Sequence, residues 1–371
     1  MNSDGNQRKG VIILDKAEKL VDQLERHDVE AFIVSGLWNI RYLSGFTGSN
    51  GVILITGNEK LLITDYRYYE QAGQQTDFEI VLHSGHTGHK GKIYEEVANQ
   101  VEKRNIKKLG FEERHLSFGL HGWLDEMVDA QLIPTFDVVE SIRMIKDPEE
   151  IENIRKACRI TDEAYLYITK FIKEGHTELE VAEELGRFIK EQGGYSTGFP
   201  PIVASGIRSS LPHGRATEKI IEKGEMITID FGACYKGYWA DISRTVSIGE
   251  PLEKMKEIQE IVLKSFNNCV ANIKPGMQDT EVDQLMRNHL IETGYNDRSG
   301  TGTGHGIGLE VHEKPLFSVQ KDKVLEKDMT ISVEPGIYLP GIGGARVEDV
   351  LLITEYGCEV LTPSTKELVI I

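Results

Sequence analysis

The chain has 371 residues, enough for two domains of ordinary size, and 40% of them are hydrophobic, so each domain can bury a core. The formal net charge of −17 disfavours binding to nucleic acid or to an anionic membrane, because phosphates would be repelled. No apolar run approaches the length of a membrane span, and residues 11–14 are too short for a signal-peptide core, so we expect a cytoplasmic protein without membrane association.

The first part of the chain has the pattern of an α/β domain over residues 1–142. Its first nine or so residues are predicted to be disordered. An amphipathic helix is predicted over 16–27, and strands are predicted over 31–34, 51–56 and 60–64.

A second domain is predicted over residues 143–371. Asp147 is followed by Pro148 and then by Glu150, which is the pattern of an N-cap, a proline at the first helical position and a capping-box glutamate. A long helix should therefore begin here. The cysteines are widely spaced without a CxxC pattern, which predicts reduced and mostly buried thiols; they are Cys158, Cys234, Cys269 and Cys358.

Two strand-like runs, 226–231 and 238–243, predict a hairpin that carries Asp230 and Asp241. If the turn runs from Cys234 to Gly237, the two aspartates face each other with Cβ atoms roughly 5 Å apart. Like charges at that distance are unfavourable unless a cation lies between them. A bulge at Gly237 would shift the register by one residue, so this pairing is a hypothesis.

A second hairpin is predicted around Gly341, which is the midpoint between Glu334 and Glu348. By the period of two, Ser332 shares a face with Glu334, and Arg346 shares a face with Glu348. Carboxylates again converge on one face of a hairpin.

His305 lies in a glycine-dense stretch, 301–308, where the backbone can approach a ligand closely. Taken singly, each acidic residue is more often a cap and the histidine more often an ordinary polar side chain. Their joint arrangement predicts a two-metal hydrolase whose nucleophile is a metal-bound hydroxide, and oxygen ligands with one imidazole suit Mn²⁺, Co²⁺ or Zn²⁺. The predicted ligands are Asp230, Asp241, His305, Glu334 and Glu348.

An internal repeat, in which the same residues recur at an offset of 101, predicts that the second domain is duplicated. It relates Ile172 to Ile273, Gly175 to Gly276, Glu180 to Glu281 and Gly193 to Gly294. Each copy should contain a helix, a glycine-containing loop with a histidine (His213 or His305) and a hairpin. A pseudo-two-fold axis would set the two hairpins face to face with the metals between them.

The second domain resembles the pita-bread metallopeptidases, a group that includes prolidase, aminopeptidase P and methionine aminopeptidase. The first domain resembles the N-terminal domain of the creatinase and prolidase subgroup, through residues 39–48 and 64–68. The expected fold is an α/β N-terminal domain plus an α+β, duplicated pita-bread catalytic domain. The motifs that carry the resemblance in the second domain are residues 210–214, 229–232, 240–245, 302–308, 310–313, 332–336 and 346–349.

The resemblance also implies roles for individual residues. It places Asp230 on one metal, His305 and Glu334 on the other, and Asp241 and Glu348 on both. Glu334 would relay protons, and His213 and His312 would hold the substrate and the oxyanion of the tetrahedral intermediate.

Arg346 lies two residues before Glu348, and an arginine beside the bridging glutamate resembles the pattern of the family branch that cleaves Xaa-Pro bonds. The implied substrate is a short proline-containing peptide, with dipeptidase and aminopeptidase activity both open, and the implied assembly is a homodimer. Thr301 stands where that branch usually has a histidine, which predicts an altered substrate preference or rate.

Three other interpretations remain open from the sequence. One is a metal-free, creatinase-like hydrolase of a small amide, and another is a non-catalytic pita-bread module that binds a partner. The third is a general aminopeptidase without preference for proline. The complete set of five predicted ligands favours the metallopeptidase.

Overall fold

The computed structural model describes residues 15–84, 91–195, 197, 199–300, 302–318 and 323–371. The first nine residues, which are predicted to be disordered, lie outside these ranges. Thr301, which is predicted to alter substrate preference or rate, lies outside them too. By their internal contacts the described residues form two compact units, one ending at Arg143 and the other beginning at Met144. Within the described ranges, no helix is both long enough and apolar enough to cross a membrane.

The first unit is built on one six-stranded sheet with the order β4-β3-β2-β1-β5-β6. Every residue of the central strand β1 is buried, as expected for a strand covered on both faces. The strands are β1 (Ala31–Val34), β2 (Val52–Thr56), β3 (Lys60–Thr64), β4 (Glu79–Leu82), β5 (Lys108–Glu112) and β6 (Gln131–Thr135). The helices are α1 (Lys16–Leu24), α2 (Leu37–Ser44), α3 (Tyr69–Gln75), α4 (Gly91–Lys103), α5 (Phe118–Met127) and α6 (Val138–Arg143).

The predicted elements of the first unit are present with small changes at their ends. The Asp15 side chain accepts a hydrogen bond from the Ala17 N–H and so caps α1. The last residues of the predicted helix, Glu25–His27, form a 3-10 turn rather than a continuation of α1.

The described residues of the second unit form four long helices, two larger sheets with the orders β19-β11-β8-β7 and β13-β12-β14-β17-β18, and two two-stranded sheets, β10-β9 and β15-β16. The helices are α7 (Pro148–Phe171), α8 (Glu178–Glu191), α9 (Glu253–Asn272) and α10 (Asp279–Glu292). The strands are β7 (Ile202–Ser205), β8 (Met226–Phe231), β9 (Cys234–Tyr235), β10 (Tyr238–Trp239), β11 (Ile242–Ser247), β12 (Gly302–Gly306), β13 (Glu313–Ser318), β14 (Thr330–Val333), β15 (Gly336–Leu339), β16 (Gly343–Arg346), β17 (Asp349–Ile353), β18 (Cys358–Val360) and β19 (Val369–Ile370).

The predicted capping box begins α7. The Asp147 carboxylate accepts from the Glu150 N–H at 2.9 Å, and the Glu150 carboxylate accepts from the Asp147 N–H at 3.0 Å. Two orphan donors of the helix are satisfied in this way, and the helix runs for 24 residues. The four cysteines are free thiols, as predicted.

The duplication predicted from the offset of 101 residues is confirmed in the helices. Helices α8 and α10 have the same length and begin and end 101 residues apart. Gly175 and Gly276 adopt φ angles of 91° and 89° before these helices, where a side chain would be strained. The histidines are not equivalent, however, because His305 lies on strand β12 whereas His213 lies beyond β7 and a 3-10 turn.

In each half, one face of the sheet packs on the helices and the other carries polar side chains. Ile227 and Ile229 of β8 join a core with α7 and α8, while Asp230 alternates with them. Ile331 and Val333 of β14 join a second core with α9 and α10. The polar residues are therefore left on the faces that are turned away from the helices.

Candidate metal centre and substrate cavity

The predicted ligands lie at or next to the ends of strands. Asp241 and Glu348 immediately precede β11 and β17, and Glu334 immediately follows β14. Asp230 and His305 are each the second-last residue of a strand, β8 and β12. The strand-like run predicted over 238–243 is interrupted at Ala240 and Asp241, and in the second hairpin Val347 and Glu348 likewise separate β16 from β17.

The first hairpin reverses through Lys236 and Gly237, whose φ angles of 48° and 85° lie in the left-handed region. Such a two-residue turn matches the twist of the strands, and it centres the hairpin one residue later than predicted. Asp230 therefore pairs with Ser243, and the predicted direct opposition to Asp241 is wrong. Asp241 nevertheless shares the face of Asp230, because the register differs by two residues and side chains alternate with a period of two.

The second hairpin has the predicted register. The residue pairs of β14 with β17 and of β15 with β16 are all centred on Gly341, which sets Glu334 opposite Glu348. Ser332 shares the face of the two glutamates, as predicted, and its hydroxyl donates to the Glu348 carboxylate.

Side chains from the two hairpins, from strand β12 and from His312 meet in three overlapping groups of potential metal ligands, one of which joins Asp241, His305 and His312. Oxygen atoms of Asp230, Asp241 and Glu348 lie within 4.8 Å of one another, and so do ligand atoms of His305, Glu334 and Glu348. The His305 Nε2 atom lies 3.7 Å from Glu334 Oε1, 3.8 Å from Glu348 Oε1 and 3.9 Å from Asp241 Oδ2. The group of Asp230, Asp241 and Glu348 and the group of His305, Glu334 and Glu348 thus share the Glu348 carboxylate.

The orientation of His305 suits a ligand. Its Nδ1 atom lies 3.0 Å from the Gly306 carbonyl oxygen, which can only accept, so Nδ1 carries the proton. The Nε2 lone pair is therefore directed towards the carboxylates, in the arrangement usual for metal-binding histidines.

The carboxylates cannot all be ionised here without compensation. Burial, reinforced by neighbouring carboxylates, raises the pKa of Glu348 to about 8 and the pKa of Asp241 well above its usual range. Burial also raises the pKa of Glu334 to about 7, against the opposing charge of Arg346. In the described part of the chain, Asp230 Oδ1 and Asp241 Oδ1 are buried without a hydrogen-bond partner. This donor set fits divalent cations, which would favour the ionised carboxylates and occupy their free oxygens.

Arg346 is buried and connects three parts of the site. Its guanidinium donates to Asp230, to the Ser243 hydroxyl at 2.6 Å and to the Pro212 carbonyl at 2.9 Å. It also donates to the Tyr338 hydroxyl at 2.7 Å. Arg346 thus ties the carboxylates to the loop that carries the next residue after Pro212, which is His213.

His213 and His312 line the same cavity as the five predicted ligands. Its volume is about 250 Å³, and its other lining residues are Phe199, Pro200, Ile202, Arg215 and Arg346. The rings of His305 and His312 lie 4.3 Å apart, centroid to centroid. Partial burial, with the charges of His305 and His213, lowers the pKa of His312 to about 4, so its ring is neutral near pH 7.

The sequence did not single out several residues of the site. The hydroxyl of Ser243 donates to Glu348 at 2.8 Å, and Tyr338 binds Arg346. Ser243 belongs to the 240–245 motif and could have been found from it. Ile202 and Arg215 come close to Asp230 through the pairing of strands, which no local pattern indicates.

A histidine with two carboxylates also occurs in the first unit, where Glu112, His115 and Glu140 lie together. The Asn39 amide donates to Glu112 at 2.6 Å and to Glu140 at 2.7 Å. Glu112 also accepts from the N–H groups of Ser35 and Gly36. These bonds give the 39–48 motif a structural role.

Comparison with known proteins assigns both units. Residues 16–145 match the creatinase/prolidase N-terminal domain, and residues 152–355 match metallopeptidase family M24. The sequence is 38% identical to a Xaa-Pro dipeptidase of Pyrococcus horikoshii, over 96% of this chain and 99% of that protein.

Two solved structures are similar over nearly their whole lengths. A Xaa-Pro dipeptidase from Bacillus anthracis superposes with a TM-score of 0.92 and 45% identity, over 96% of this chain and 99% of that one. An X-Pro aminopeptidase from Thermotoga maritima superposes with a TM-score of 0.87 and 39% identity, over 96% of this chain and 100% of that one. The predicted fold class, an α/β domain followed by a duplicated α+β pita-bread domain, is confirmed.

Proposed function

Because the chain belongs to metallopeptidase family M24, we propose that it hydrolyses the Xaa-Pro bond of dipeptides or short peptides with two divalent metal ions. The observation that carries this proposal is the pair of ligand groups that share Glu348 and border one cavity. Similarity to proteins named Xaa-Pro dipeptidase and X-Pro aminopeptidase supports the substrate class.

The family resemblance assigns the residues that would hold the ions. Asp230 would bind one ion, His305 and Glu334 the other, and Asp241 and Glu348 both. When bound, the ions would supply an activated water and polarise the scissile carbonyl. Oxygen-rich sites accept several divalent ions, and Mn²⁺ is our proposal, with Co²⁺ and Zn²⁺ as alternatives.

Glu334 is proposed to move the proton during hydrolysis. The water oxygen bonds to the scissile carbonyl carbon, the bond from that carbon to the proline nitrogen breaks, and the nitrogen leaves as a secondary amine. Glu334 takes the proton from the water and delivers it to that nitrogen. A carboxyl group held beside the reacting atoms can take up a proton and deliver it in this way.

His213, His312 and Arg346 are proposed to position the substrate and the reacting groups. His213 and His312 both line the cavity, where they can donate to the substrate carbonyl and to the oxyanion that develops from it. Arg346 holds Asp230 and the loop before His213 in one arrangement.

The alternatives differ in what they require of the site. A metal-free creatinase-like enzyme and a non-catalytic binding module have no need of five ligands in two overlapping groups. A general aminopeptidase would have the same ligands and must be distinguished by its substrates. A homodimer and a cytoplasmic location stay predictions of the sequence.

The proposal can be tested with three peptides. Chelator-stripped protein is assayed with Ala-Pro, Ala-Pro-Ala and Ala-Ala-Ala, before and after addition of Mn²⁺. We expect Mn²⁺-dependent cleavage ahead of proline and no cleavage of Ala-Ala-Ala. Equal turnover of all three peptides would indicate the general aminopeptidase, and activity that survives metal removal would contradict the two-metal site.

A further inference from the structure

Arg215 is a second cationic residue in the cavity wall. Arg346 is fully engaged by the site, but Arg215 is exposed and pairs with no carboxylate among the described residues. Its backbone is fixed, because its N–H donates to the His213 carbonyl at 2.9 Å and its carbonyl accepts from Arg208 at 2.7 Å. A fixed backbone with an uncommitted guanidinium is suited to binding an anionic group of a ligand.

The strand register gives the position of Arg215 relative to the metal ligands. Arg215 pairs with Ile202, Ile202 pairs with Asp230, and Asp230 pairs with Ser243. Directly paired residues project from the same face of a sheet, so the four side chains form one row. Adjacent strands are roughly 5 Å apart, which puts the Arg215 Cα about 10 Å from the Asp230 Cα.

Ile202 separates the ligand Asp230 from Arg215 within this row. Its side chain is almost fully buried, and Phe199 and Pro200 line the same cavity. The row therefore presents a carboxylate, then an apolar surface, then a cation. A Xaa-Pro dipeptide has the same order of chemistry in its scissile bond, its pyrrolidine ring and its C-terminal carboxylate.

We propose that Arg215 binds the C-terminal carboxylate of a Xaa-Pro dipeptide whose proline ring packs on Ile202, Phe199 and Pro200. This inference rests on the proposed function and adds a preference for chain length. The cavity carries four carboxylates, which repel a substrate anion, and Arg215 offsets that repulsion at the proline end. Two divalent cations would balance the four carboxylates and leave Arg215 as an available positive charge.

A preference for dipeptides follows from this arrangement. Arg215 can bind a carboxylate attached directly to the proline, but in a tripeptide that carbon belongs to a neutral amide. The free carboxylate of a longer peptide lies at least one residue further along the chain. Ala-Pro should therefore be preferred over Ala-Pro amide, which has the same ring and the same scissile bond but no negative charge.

The test measures the ratio of kcat/KM for Ala-Pro to that for Ala-Pro amide, with Mn²⁺ present, in the full chain and in Arg215→Gln. We expect the ratio to fall about 10- to 100-fold in the variant, the range for loss of a charge-assisted hydrogen bond. Most of the change should be a higher KM for Ala-Pro. Arg215→Lys should recover part of the ratio, because the charge is retained.

Arg159→Gln is the matched control. Arg159 is an exposed arginine of the same unit, pairs with exposed Glu152 and with no other carboxylate in the described ranges, and does not line the cavity. The Arg159→Gln substitution removes the same charge and should leave the ratio of the two kcat/KM values unchanged. An equal effect of both substitutions, or an unchanged ratio in Arg215→Gln, would overturn the role of Arg215 while leaving Xaa-Pro hydrolysis intact. If the unmodified chain hydrolyses neither Ala-Pro nor Ala-Pro amide, the proposed function and this inference are overturned together.

Discussion

The two halves of the second unit share one frame but place different residues at equivalent positions of their hairpins. In the first half Asp230 lies opposite Ser243, whereas in the second half Glu334 lies opposite Glu348. A fully symmetric site would have a carboxylate in place of Ser243. The serine instead donates to Glu348, so the first half orients a proposed ligand of the second.

The two halves also differ at the position two residues before Ser243 and Glu348. The first half has Asp241 there, and the second half has Arg346, whose guanidinium binds Asp230. Strand β12 also contributes His305 at a position where β7 has Ala204, which lies against the backbone of Gly214. The duplicated frame brings the side chains of both halves together. Its asymmetry provides the mixture of carboxylates, imidazole and guanidinium.

The largest effect is expected at Asp241, the proposed bridging carboxylate of the first half. Asp241→Asn keeps the size of the side chain but removes a negative charge from both cation positions. We expect loss of at least one metal ion per chain and a fall in kcat of about 10³-fold, since metal ions contribute several kcal/mol to the transition state. Metal analysis and Ala-Pro hydrolysis check this. Asp162→Asn, a buried carboxylate outside the cavity, is the control, and normal metal content with normal turnover in Asp241→Asn would contradict the assignment.

Glu334→Gln should separate metal binding from proton transfer in the second half. We expect a loss of about 10²- to 10⁴-fold in kcat, the range for general acid–base catalysis, while metal content falls much less. The limb of the pH–rate profile that reports this carboxyl group should disappear as well. Mild and equal losses of metal and activity would argue against the proton relay.

Arg346→Lys tests the link between the halves. Lysine keeps the charge but lacks the planar fork that reaches Asp230, Ser243 and Pro212 together. We expect kcat/KM to fall roughly 10- to 100-fold, equivalent to one or two lost hydrogen bonds with charged groups. Metal content should stay close to that of the unmodified chain. Unchanged kinetics would mean that charge alone matters at this position.

Metal removal should give the protein an unusual dependence on pH. Burial raises the pKa of Glu334 to about 7 and that of Glu348 to about 8, so the folded, metal-free state holds more protons than the unfolded state between about pH 4.5 and pH 8. Stability therefore falls as pH rises through this window. Thermal melts of chelated protein should show a decreasing Tm from pH 5 to pH 8, and saturating Mn²⁺ should abolish most of the decrease. The same slope with and without Mn²⁺ would contradict this.

The smallest effect is expected at the turn that sets the first hairpin's register. Gly237→Ala places a side chain at φ 85° and should cost about 1–2 kcal/mol, with a Tm lower by a few degrees. Gly186 lies within helix α8 with open space around it, so Gly186→Ala should leave Tm unchanged or raise it. A lower Tm in the helix variant than in the turn variant would contradict the account of the turn.

Much of this arrangement could be predicted from the sequence because its signals are local. The capping box of Asp147, the turn centred on Gly341 and the paired glycines Gly175 and Gly276 each depend on a few neighbouring residues. The family resemblance was equally accessible, because its motifs are continuous, and it is confirmed.

What the sequence missed depends on pairing between distant strands. The sequence allows two positions for the turn of the first hairpin, which differ by one residue in register. The left-handed φ angles of Lys236 and Gly237 show which turn forms. Arg215 reaches the cavity through its pairing with Ile202, which belongs to a different strand. No periodicity along the chain contains that information.

The most direct test of the central claim is a titration of chelator-stripped protein with Mn²⁺, in which bound metal and Ala-Pro hydrolysis are measured on the same samples. The two overlapping ligand groups predict two ions per chain, with full activity reached only when both are bound. Full activity with a single ion per chain, or hydrolysis in the absence of metal, would contradict the account.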